Sequence, residues 1–322
     1  MTISRKDVPR TAFIIIIAAV LCFTVLRLVK PMFLGSGMFP ELENAISDVR
    51  TITISSGDGT LRRSTILSNQ DGKIWVVASA ANAPADADKI RALIIALTRL
   101  ENADMKSANP KDWPPMGLGP AETTLTVTDS NKATVADLRL GNAVDNKAGA
   151  QYFRIGDKGS AFVGFGMPPL SASALNWTTA QMPKLSPDRI KRVLLIAPDL
   201  SRVDIERRSG NNFAVTNLVA GEASHQDIVN ALVGLLSHFI ANDLISTDAI
   251  NWFNATTFLV DSEDGLGLSG QIKFQSGQYW VRMNGGGTST DAKSINSQRN
   301  LAFAIPETQA KLLLSSRSIL TR

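Results

Sequence analysis

The chain has 322 residues, 33 of them basic and 29 acidic, for a formal net charge of +4, and 44% are hydrophobic. So even a balance, with no basic stripe interleaved with aromatics, excludes nucleic acid as a partner. The single cysteine, Cys22, excludes disulfides, thiolate metal sites and a thiol nucleophile from everything that follows it.

The first predicted element is an apolar run. Residues 11–26 carry no charge, and Leu28 and Val29 extend the run past Arg27 to 19 positions. At ~1.5 Å per residue a helix of that length spans roughly 28 Å, about one hydrocarbon core. A single-span anchor over 11–30 would present Phe13, Ile14, Ile15, Ile16, Ile17, Val20, Leu21, Phe23, Val25 and Leu26 to membrane lipid. A cleaved signal peptide is disfavoured, because Arg27-Leu28-Val29-Lys30-Pro31 follows where small residues should stand. Lipidation of Cys22 is disfavoured by the bulk of Leu21. A buried helix of a soluble domain fits poorly with a run that is apolar around its whole circumference. The tail 1–10, with Arg5, Lys6 and Arg10, is expected to stay in the cytoplasm. The expected location is therefore a bacterial inner membrane, crossed once, with the large domain periplasmic.

Residues 45–181 read as a first α+β repeat. Strands are expected near 50–55, 61–67 and 73–78, joined by the turns Ser56-Gly57-Asp58-Gly59 and Asp71-Gly72. Ile90, Leu93, Ile94, Leu97 and Leu100 then recur at helical spacing. A loop with four prolines, Asn109–Pro120, follows with no clear counterpart later; its Trp113, Pro114 and Pro115 are candidate partner contacts. The alternative for this loop is a stiff connector whose tryptophan packs on the sheet. Further strands are expected near 124–127, 138–140, 152–155 and 161–163, with a short closing helix from Pro168-Pro169.

The join is placed near Met182–Pro187, and residues 188–318 read as a second repeat. Strands are expected near 192–197, 201–208 and 212–217. Val229, Leu232, Val233, Leu236 and Phe239 repeat the first helical stripe 139 residues on. Thr257–Val260 matches Thr124–Val127, Ile272–Phe274 matches Leu138–Leu140, and Tyr279–Arg282 is set beside Tyr152–Ile155. A last strand near 301–304 and a helix near Pro306 close the unit. The expected order is β-β-β-α-β-β-β-β-α, twice: an α+β tandem of antiparallel sheets, each covered by a helix.

Chemistry is sparse. Gly265-Leu266-Gly267-Leu268-Ser269-Gly270 satisfies G-x-G-x-x-G, but a strand-like run follows it where a dinucleotide site needs a helix. Asp261–Gly265 resembles the start of a calcium loop whose twelfth position, Ile272, is no ligand. His225 and His238 lie 13 apart, on different sides of one helix, with His225 expected solvated and His238 packed. The pairs Asp86/Asp88 and Glu101/Asp104 suit a helix start and its polar face. Arg207 and Arg208, near Arg202, form a modest basic cluster and a second candidate contact. No catalytic, cofactor-binding or metal site is expected, and no cofactor.

The Val49–Ile54 strand, Gly72-Lys73-Ile74-Trp75, Ala87-Asp88 opening the Ile90–Leu100 helix, and Ala121–Val127 resemble the family called domain of unknown function 4340. The resemblance is best over residues 40–200. It implies an envelope accessory protein encoded beside gliding-motility-type ABC transporters, with the permease and a large auxiliary subunit as partners. It supplies no catalytic residues. The expectation is a non-enzymatic, membrane-anchored accessory subunit; the alternative is a periplasmic hydrolase or glycan-binding protein using carboxylates.

Overall fold

The computed structural model describes residues 38–59, 62–100, 104–157, 159–166 and 170–322. The anchor expected over 11–30 lies outside the described residues. Among those described, no helix is long and apolar enough to cross a membrane.

The chain enters beside the first unit's main helix, where the Met38 N–H donates to the Leu100 carbonyl at 2.9 Å. A short helix α1 (Pro40–Ala45) leads into strands β1 (Val49–Ser56), β2 (Arg63–Gln70), β3 (Ile74–Val77) and β4 (Ala83–Pro84). Helix α2 (Ala87–Thr98) follows, capped by the Asp86 carboxylate accepting from the Lys89 N–H at 3.2 Å. Then come β5 (Asp104–Ser107), β6 (Thr123–Asp129), β7 (Thr134–Ala143), β8 (Ala150–Ile155) and β9 (Ala161–Phe165). They form one antiparallel sheet in the order β4-β3-β2-β1-β6-β7-β8-β9-β5.

The second unit repeats the plan. Strands β10 (Ile190–Ile196), β11 (Arg202–Ser209) and β12 (Asn212–Val215) precede α3 (Gln226–Leu235). After it run β13 (Asp243–Ser246), β14 (Thr256–Ser262), β15 (Gly267–Gln275), β16 (Gln278–Gly286), α4 (Thr290–Ser297) and β17 (Leu301–Ile305). Helices α5 (Glu307–Leu313) and α6 (Arg317–Leu320) end the chain. The sheet order is β12-β11-β10-β14-β15-β16-β17-β13. Apart from β4, this is the first sheet's order strand for strand. The register agrees to a single residue: the β1–β6 ladder is shifted between Val49 and Thr51, and the β10–β14 ladder between Ile190 and Arg192.

Each main helix buries its apolar stripe on its own sheet. Ile90, Leu93, Ile94, Leu97 and Leu100 are buried, as are Val229, Leu232, Val233, Leu236 and Phe239. One continuous core runs from Phe39 through the join at Met182 and Leu185 to Leu320.

The expected α+β class is corrected. The described residues are mostly β: seventeen strands in two large antiparallel sheets against six helices, the longest with 12 residues. The reason is local. The tails after each helical stripe, read as helix run-outs, turn back as the edge strands β5 and β13, pairing with β9 and β17. In the first unit the expected closing helix gives way to a single 3-10 turn at Ala174–Trp177, with Pro168-Pro169 outside the described residues. In the second, Pro306 stands one place before its helix, as N-cap, and the polar helix α4 was not foreseen.

Candidate functional site

The proline-rich loop is two 3-10 turns, Pro110–Asp112 and Pro114–Met116. Its Trp113 ring sits against the Arg154 guanidinium, 4.3 Å from ring centroid to Cζ. Arg154, on β8, is only 5% exposed, and it donates to Glu122 Oε1 at 2.8 Å and to the Asp157 carbonyl at 2.6 Å. The loop lies so close to β7 that a Cβ on Gly141 would strike the Met116 carbonyl. Trp113 is thus a lid on the back of the sheet, while Pro114 and Pro115 are exposed at the loop's tip.

This lid has a counterpart that the sequence reading missed. Trp252 lies 139 residues beyond Trp113, and its ring sits 4.6 Å from the Arg282 Cζ. Arg154 and Arg282 hold the same register place: Arg154 faces Arg139 on β7, and Arg282 faces Gln271 on β15. Tyr152 therefore matches Trp280, one place from the Tyr279 expected, and a slip of one residue exchanges the faces of a strand. In the second stack Trp252 Nε1 donates to the Thr247 carbonyl at 3.0 Å and Arg282 Nε to Gln271 Oε1 at 2.8 Å. Burial holds the Arg282 guanidinium below its ordinary range. In the first stack, Trp113 Nε1 and Arg154 Nε have no partner among the described residues.

The two arginines of the basic cluster separate. Arg207 is a strut: its guanidinium donates to the Gly210 carbonyl at 2.6 Å and to the carbonyls of Pro187 and Ile190, and it lies 5.0 Å from the Phe213 ring centroid. It ties β11 to the join between the units. Arg208 is exposed.

The remaining motifs are structural. Gly265–Gly270 begins in the β14–β15 turn and runs into β15. Hydrogen bonds from Ser262 and Arg189 hold the Asp264 carboxyl below the usual carboxylate range. His238 is exposed and His225 half-buried, the reverse of expectation, because α3 ends at Leu235 and the chain turns away before His238. Among the described residues no group of three His, Cys, Asp or Glu side chains could hold a metal.

The most constrained carboxylate joins the two units. Asp243, at the start of β13, is 7% exposed. Its Oδ2 accepts from Arg63 at 3.0 Å, and its Oδ1 accepts from the Ser173 hydroxyl at 2.7 Å and the Leu244 N–H at 2.9 Å. A cleft of about 310 Å³ opens over this seam, lined by Arg62, Arg63, Thr65, Asp243, Gln278 and Trp280 among others. Both carboxylate oxygens are occupied by donors, which makes Asp243 a clamp between the units.

Two sheets of one plan, each with one main helix on one face and a tryptophan–arginine lid on the other, define a tandem antiparallel-β protein. The chain matches the family model described as Domain of unknown function (DUF4340) over residues 75–268, from β3 of the first unit to β15 of the second. It belongs to that family. No curated protein and no solved structure matches it.

Proposed function

We propose that the chain is a non-enzymatic accessory subunit of an ABC transporter-type complex in a bacterial envelope. It would be held at the inner membrane by residues 11–30, with its tandem units on the periplasmic side binding the permease, the auxiliary subunit or their cargo. The observation that carries this reading is where the buried charges go. Glu122 and Arg154 pair to seat a loop, Asp243 holds the seam between units, and the half-buried Arg207 binds main-chain carbonyls. Chemistry-bearing side chains serve to build surfaces, and two units present two related surfaces at once. The uncharged run at 11–26 supports the location.

Two measurements test it. A reporter fused after residue 322 is expected to be active only in its periplasmic form, and cytoplasmic activity would contradict the placement. Purification of the full chain in mild detergent is expected to bring ABC permease and ATPase subunits with it, and recovery of the chain alone would contradict the partnership.

A further inference from the structure

The two lids sit on one frame and carry different charge. Thr124, Arg139 and Arg154 form a row across β6, β7 and β8, and Thr257, Gln271 and Arg282 form the same row across β14, β15 and β16. Two positions before each threonine the lid loop ends in a turn. The Glu122 N–H donates to the Gly119 carbonyl at 3.0 Å, and the Ala255 N–H to the Trp252 carbonyl at 3.2 Å. Ala255 therefore stands where the first unit has Glu122, and Ser269 where it has Asp137.

The first lid has its own counter-ions. Arg154 pairs with Glu122 at 2.8 Å, and Arg139 with Asp157 at 2.7 Å and Asp137 at 3.4 Å. The Glu122 carboxylate arrives on a loop whose Leu118 is 1% exposed, so an acid and an apolar side chain enter the site together.

The second lid keeps the cation and loses the acid. Its loop is shorter, Trp252 reaching Thr257 in five positions where Trp113 takes eleven to reach Thr124. Lys273 stands where the first unit has Gly141, on the same face as Arg282 and diagonal to it, and its ammonium donates to the Phe253 carbonyl at 2.6 Å. Among the described residues no carboxylate pairs with Lys273 or with the half-buried Arg282, whose side-chain acceptor is the neutral Gln271. Burial shifts the Arg282 guanidinium with no charged neighbour to offset it. Phe253, next to the lid tryptophan, is 75% exposed.

We propose that the second lid is a docking site for an acidic segment of a partner protein, one carboxylate taking the place at Arg282 that Glu122 takes at Arg154. A second acidic side chain meets Lys273, and an apolar residue beside them covers Phe253. The guanidinium fork suits a carboxylate, and charge matched across the contact sets specificity and association rate. The occupant is a chain segment because the first unit fills the same place with one, and because Phe253 offers a small anion nothing. The inference rests on the binding role proposed above and gives it a site and a chemistry.

The test uses the full chain in mild detergent, with hexaglutamate as the probe and tryptophan fluorescence as the readout at low salt. Saturable binding is expected, and it should weaken as salt is raised. Arg282→Gln should weaken it by roughly tenfold or more. Ala255→Glu should do the same with both cations still in place, because the new carboxylate occupies Arg282 from within. A urea midpoint at or above that of the wild type would show that Ala255→Glu is folded. Equal binding of hexaglutamate to Ala255→Glu and wild type overturns the proposal. So does displacement by an equal concentration of inorganic phosphate, which would mean a free-anion site, or tighter binding to vesicles of anionic phospholipid, which would mean a lipid site. Co-purification separates this inference from the reading beneath it. ABC subunits are expected with the tagged wild type and not with Ala255→Glu. Their presence with both, and no hexaglutamate binding, removes this site and leaves the binding role; their absence from the wild type, with hexaglutamate bound, contradicts the transporter partnership and leaves the site.

Discussion

At the scale of single residues, the same type of charge has very different weight in different places. Glu122 and Arg154 are both nearly buried, so removing one leaves the other charged, desolvated and short of partners. Glu122→Ala is expected to cost about 3 kcal/mol in urea unfolding. The exposed pair Asp88–Arg91, at 3.0 Å on α2, should contribute less than about 0.5 kcal/mol, so Asp88→Ala is the contrasting control. Little of this was legible in the sequence. Trp113 stood out, but Arg154 reads as an ordinary strand residue, and nothing local says that the two meet. Trp252 was hidden for two reasons. Its loop reaches Thr257 in five positions, whereas Trp113 needs eleven to reach Thr124, and the arginine beneath it was set one place out of register.

At the scale of elements, the repeat shows how two sequences fill one space. Leu125 faces Leu138 across β6 and β7; at the same place in the second unit Phe258 faces Gly270 across β14 and β15. A Cβ on Gly270 would run into the Phe258 ring. Gly270→Ala is therefore expected to cost about 2 kcal/mol. In the Phe258→Leu background the same change should cost less than half as much, and a double-mutant cycle checks the coupling. Charge also fastens the chain's end. Glu222 accepts from the Arg317 Nε at 3.0 Å and from the Val219 N–H at 2.9 Å, and its carboxyl is held below its ordinary value of 4.5, first by Arg317 and then by that N–H. A folded value lower than the unfolded one contributes stability above pH 4.5 that is lost as pH falls through the folded value. The Ala223 and Arg322 amides, which donate to each other's carbonyls, should accordingly lose hydrogen-exchange protection in acid, and Glu222→Gln should abolish that step. The helical stripes and most strands were legible, because a 3.6-residue period and glycine turns are local signals. The four-residue edges β5 and β13 were not, since too short a segment cannot distinguish a strand from a helix tail. Helix α4 was missed because only Ala292 and Ile295 of its eight residues are buried.

At the scale of the whole molecule, the seam determines whether two units behave as one. Residues 63, 173 and 243 are far apart in sequence and share no pattern, so their meeting became visible only in three dimensions. Wild-type protein is expected to unfold in one calorimetric transition. Asp243→Ala, which leaves Arg63 and Ser173 without their shared acceptor, should resolve it into two, whereas one unchanged transition would mean that the apolar join at Met182 and Leu185 suffices. The doubled plan with its buried charges spent on structure is what supports the binding role proposed for this chain. The most direct test is mass-spectrometric identification of what co-purifies with the full chain, tagged at its C-terminus and expressed at native level, in mild detergent. Enrichment of ABC permease, ATPase and auxiliary-subunit peptides over an untagged control is the predicted result; a chain recovered without any of them would contradict the account.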